Sequence, residues 1–61
     1  MNENLILTYN LASLKMIRGS LHVFAMEAED ELAQMKYHES MMKIDEIIHT
    51  IDMALKNRNL R

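Results

Sequence analysis

The chain has 61 residues, no cysteine, and nine acids against seven bases for a net charge of −2. A single domain of this size buries only about 60% of the surface its unfolded form exposes, and the absence of cysteine removes both disulfides and the commonest zinc ligand as reinforcement. Self-association is the remaining device, no oxidising compartment is implied, and the weak negative charge creates no long-range field toward nucleic acid or an anionic membrane.

There is no proline, one glycine and seven methionines among 49% apolar residues, a composition of helix formers with no linker-like run and no internal repeat. At the N-terminus the contiguous apolar run is only Leu5-Ile6-Leu7, preceded by Glu3 rather than by basic residues. That pattern fits neither a signal peptide nor a spanning helix, so no membrane partner and a cytoplasmic location are expected.

Apolar positions recurring at alternating spacings of four and three define three seams. The first is Leu7, Leu11, Leu14, Leu21, Ala25, Ala28, Leu32 and Met35, broken only by Arg18 and flanked by Ile17 and Phe24. The second, roughly opposite it on the same helix, is Leu5, Tyr9, Ala12, Met16, Gly19, Val23 and Met26. The third is Tyr37, Met41, Ile44, Ile48, Ile51 and Leu55, widened by Ile47 and Ala54.

Gly19-Ser20 reads two ways. Glycine after one helix and serine as the next N-cap is a stop-and-start signal. Yet the first seam keeps its phase through residues 18–20. An interior glycine costs about 1 kcal/mol relative to alanine, whereas each well-buried Leu, Met or Val contributes roughly 1.5 to 3 kcal/mol. The balance favours a continuous helix, with a three-helix bundle turning at 18–20 as the alternative.

Between Met35 and Tyr37 the apolar phase jumps by about half a turn, which places a bend at 36–40 with Ser40 as N-cap. The expectation is an all-α antiparallel hairpin, with a long helix at about 4–35 and a shorter one at about 39–57. These would span on the order of 48 Å and about 30 Å, leaving the first turns and the second seam without an internal partner. Two hairpins would then form a dimeric four-helix bundle, a short coiled-coil-like assembly centred on the long helices.

Chemistry-bearing motifs are weak. Glu46 and His49 have the E-x-x-H spacing of two-metal carboxylate bundles, but they fall on the outer side of a helix whose Ile44, Ile48 and Ile51 point inward. His22, His38 and His49 each precede a methionine by four residues (Met26, Met42 and Met53), too few donors for a soft-cation site. No metal or other cofactor is expected, and Met42 and Met53 read as deformable outer surface. No phosphate loop, cysteine nucleophile or serine-base-acid constellation is present, so no enzyme is expected.

The functional expectation is a small regulator, adaptor, inhibitor or chaperone acting by helix-on-helix packing. Leu5, Tyr9, Ala12, Met16, Gly19, Val23 and Met26 would face a second copy or a heterologous protein helix. The alternative is a hairpin dimer contacting RNA or DNA through Lys15 and Arg18, or through a basic C-terminal tail of Lys56, Arg58 and Arg61.

Overall fold

The computed structural model describes residues 2–59, which form two helices, α1 at Glu3–Glu27 and α2 at Glu31–Asn59. Asn2 starts α1: its side chain accepts a hydrogen bond from the Leu5 amide at 2.8 Å and its carbonyl accepts from Ile6. Glu3 in the first turn meets the positive end of the helix dipole. Helix α1 then runs unbroken through Gly19, whose φ is negative. The continuous helix is therefore the one adopted, and the three-helix alternative with a turn at 18–20 is not.

The chain turns at Ala28–Asp30, not at 36–40 as the apolar phase suggests. Ala28 takes extended backbone angles of φ −67° and ψ 127°, and its amide donates to the Phe24 carbonyl at 2.9 Å to close the last turn of α1. Asp30 opens α2, its carboxylate accepting from the Ala33 amide at 3.2 Å and its carbonyl from Gln34 at 3.0 Å. The Gln34 side-chain amide returns to the Ala28 carbonyl and ties the turn together. Glu27, Glu29, Asp30 and Glu31 crowd this junction. Such charge opposes the negative end of a helix and favours the positive end of the next, so the helix ends here.

The long helix at 4–35 and the short one at 39–57 are thus replaced by helices of 25 and 29 residues. Leu32 and Met35, in phase with the first seam, belong to α2 and point outward, each more than half exposed. Ser40 is no cap either: inside α2, its hydroxyl donates to the Lys36 carbonyl at 2.9 Å, the back-bond open to serine in mid-helix.

At 1.5 Å per residue the helices are about 37 and 43 Å long, so α2 reaches the first turns of α1. There Arg58 meets Glu3 at 3.0 Å and also donates to the Asn4 side chain. The first turns, expected to lack an internal partner, therefore have α2 alongside them, although Leu5 and Ile6 stay exposed. Among the described residues no strand is present.

Between the helices lie the first and third seams. Leu7, Leu11, Leu14, Arg18, Leu21 and Ala25 line the inner side of α1, all half-buried, facing Tyr37, Met41, Ile44, Ile48, Ile51 and Leu55 of α2. Phe24 and Tyr37 close the turn end, ring centroids 6.0 Å apart. Among the described residues Met41 alone is buried, at 8% exposure. Its truncation removes the best-packed side chain of a marginal structure. Met41→Ala should cost about 2 kcal/mol, the low end for buried methionine, measured as a drop in the urea midpoint at fixed protein concentration.

Candidate functional site

The second seam occupies the back of α1, on the side away from α2. All seven of its residues are exposed, with Tyr9 at 57%, Met16 at 75% and Met26 at 71%. The reason is geometric. At 100° per residue, Leu7, Leu14, Leu21 and Ala25 centre on one side of the helix, and Leu5, Tyr9, Ala12, Met16 and Val23 on the other. A hairpin offers one neighbour per helix, and α2 covers only the first of these sides.

A further apolar line runs along the flank of α1. Ile6, Ile17 and Phe24 are spaced by eleven and seven residues, which stacks them on one edge of the helix, and all three are exposed. In an antiparallel pair, helical phase turns that edge to the same side of the hairpin as exposed Ile47 of α2. Thr8, Lys15 and His22, at seven-residue spacing, form the polar edge of α1. Helix α1 thus carries exposed apolar side chains on its back and along one flank, with Asn10, Ser13 and Ser20 interspersed among them. Sequence reading marks Ile17, Phe24 and Ile47 as flanking positions, but it cannot bring the flanks of two helices to one side without knowing where the chain turns.

The basic candidates are largely engaged within the hairpin. Arg18, the one polar interruption of the first seam, pairs with Asp45 across the helix interface. Lys56 pairs with Asp52 at 3.1 Å, and Arg58 with Glu3. Lys15 is exposed, and Arg61 lies outside the described residues.

His22, Met26, Met35 and His38 line an open groove of about 470 Å³ beside the turn, with Glu31 and Gln34 at its rim. Met42, Glu46, His49 and Met53 lie exposed on α2. Among the described residues no group of three or more histidine or carboxylate side chains is placed to hold a metal ion. Among the described residues no helix is long and apolar enough to cross a membrane.

The Arg18–Asp45 pair fixes the axial level at which the helices meet, yet both side chains keep over 40% of their surface in water. Solvent screening limits its strength. A double-mutant cycle with Arg18→Ala and Asp45→Ala should give a coupling of about 0.2 to 1 kcal/mol, shrinking as salt is raised from low concentration to 0.5 M (roughly the range over which exposed pairs are screened).

No curated protein and no solved structure matches the chain. A family model matches residues 10–53, a span that holds most of α1, the Ala28–Asp30 turn and most of α2. That span includes both members of the Arg18–Asp45 pair and five of the seven residues on the back of α1. By this match over most of its length, the chain belongs to the family described as "Protein of unknown function (DUF1657)".

Proposed function

We propose that this protein is a helix-on-helix interaction module that self-associates through the back of α1, forming a dimeric four-helix bundle with the two α1 helices at its centre. The observation that carries the reading is the exposed stripe of Leu5, Tyr9, Met16, Val23 and Met26 on a helix whose opposite face is already used.

The exposed area has the right size. The hairpin presents 4962 Å² to solvent, whereas a compact monomer of 7.2 kDa presents roughly 4,100 Å². The excess of about 800 Å² equals what one subunit contributes to a standard protein interface. Its shape accounts for the excess: a Cα envelope of 47 × 17 × 11 Å is an elongated plate two helices wide and one helix thick. Packing a second plate against it supplies the missing layer, since a domain needs two layers around a core. Arg18, Lys56 and Arg58, three of the candidate phosphate contacts, each face a carboxylate of the hairpin, which favours this reading over nucleic-acid binding.

The same stripe would accept a heterologous helix in place of the second copy, and the regulator, adaptor, inhibitor or chaperone roles would work by that exchange. Self-association is tested first. Light scattering should give twice 7.2 kDa, and the thermal midpoint should rise with protein concentration, as mass action requires of a dimer that stabilises its fold. Met16→Glu removes little from the isolated hairpin, because Met16 is three-quarters exposed there. It should return the mass to that of one chain and abolish the concentration dependence. A wild-type chain that stays monomeric at all concentrations would overturn the proposal.

A further inference from the structure

The back of α1 carries side chains of unequal size in a particular order, and that order selects one way of pairing two copies. Along it run Leu5, Tyr9, Ala12, Met16, Gly19 and Val23. Resting on the self-association proposed above, we infer that two α1 helices pack antiparallel about a two-fold axis that sets Leu5 against Val23, Tyr9 against Gly19 and Ala12 against Met16 of the second copy.

Each of these pairs joins a larger side chain to a smaller one, so the two backbones keep a nearly even separation along the contact, as close packing requires. Gly19 is the key position. A Cβ built there meets nothing within 4 Å in the hairpin, and φ is negative. No turn and no internal contact therefore calls for glycine in mid-helix, where it is unfavourable relative to alanine. The floor that glycine leaves is where the Tyr9 ring of the second copy lies.

Other arrangements fit less well. A parallel pair puts Tyr9 on Tyr9 and Gly19 on Gly19, crowding one level and emptying another. An antiparallel pair shifted by one heptad sets Tyr9 on Met26 and Ala12 on Val23, and carries Leu5 beyond the last turn of the other α1. The inferred register overlaps nearly the whole of both helices, and antiparallel packing also opposes their dipoles favourably.

The chain's lack of cysteine makes the register directly measurable. Leu5→Cys and Val23→Cys chains are prepared separately, mixed and oxidised. A 5–23 cross-link should form, whereas 5–5 and 23–23 links should not, because those sites lie about 27 Å apart across the antiparallel pair, far beyond disulfide reach. Dominant 5–5 and 23–23 links, or a stronger 12–23 link on mixing Ala12→Cys with Val23→Cys, would overturn the register. In parallel, Gly19→Leu should leave the isolated hairpin folded and raise its thermal midpoint at high dilution, while weakening the dimer by about a hundredfold, since the overpacking recurs at two places. Unchanged dimer affinity in Gly19→Leu would also overturn it. A stable dimer lacking the 5–23 link refutes this register and leaves self-association standing; a strict monomer refutes both.

Discussion

Two helices in contact can shelter only one stripe each, and the surface of this molecule follows from that limit. Burial of apolar area is the main favourable term in folding, yet among the described residues it yields one buried side chain, Met41, in a rim of half-buried leucines and isoleucines. Nothing in the chain adds a third layer, a disulfide or a metal cluster among the described residues to compensate. The structure therefore has an adequate seam and no deep interior, and the apolar residues outside the seam stand in water.

Within the seam, polar chemistry sets position more than strength. Arg18 sits where a leucine would continue the pattern, and Asp45 answers it from α2. Exposed pairs of this kind contribute little to stability, but charge in mid-seam tolerates only one axial alignment, since a slipped helix would place a guanidinium against isoleucine. Arg58 with Glu3 repeats the device at the open end, and the Phe24–Tyr37 contact fills the closed end. Three cross-helix contacts at three levels hold two similar helices in register.

The division of labour between the helices follows their composition. Helix α2 has an apolar inner side and an outer side mixing Glu39, Lys43, Glu46 and Thr50 with scattered methionines, as a helix bordering water does. Helix α1 has a narrower polar side, with Thr8, Lys15 and His22 along one edge and only small or scattered polar residues such as Ser13 and Ser20 among the exposed apolar ones. The asymmetry leaves more exposed apolar surface on α1 than a helix bordering water ordinarily carries.

Helix content, an antiparallel pair, the inner seam from Leu7 to Ala25, the facing seam from Tyr37 to Leu55 and the exposed stripe from Leu5 to Met26 were all legible in the residues. Periodicity reports directly which side chains share a helix face. Continuity through Gly19 was legible too, because two seams held their phase across it. The turn was misplaced because it contains neither glycine nor proline, and because Leu32 and Met35 happen to extend the phase of the first seam across it. The clustered acids at 27–31 and the capping capacity of Asp30 were the better signal. Only the tertiary structure decided that the helices are nearly equal in length, that Arg18 answers Asp45, and that one flank of α1 shares a side with Ile47. Those outcomes depend on where the chain reverses, and reversal is set by capping and contact across the turn, which periodicity along a single helix does not carry.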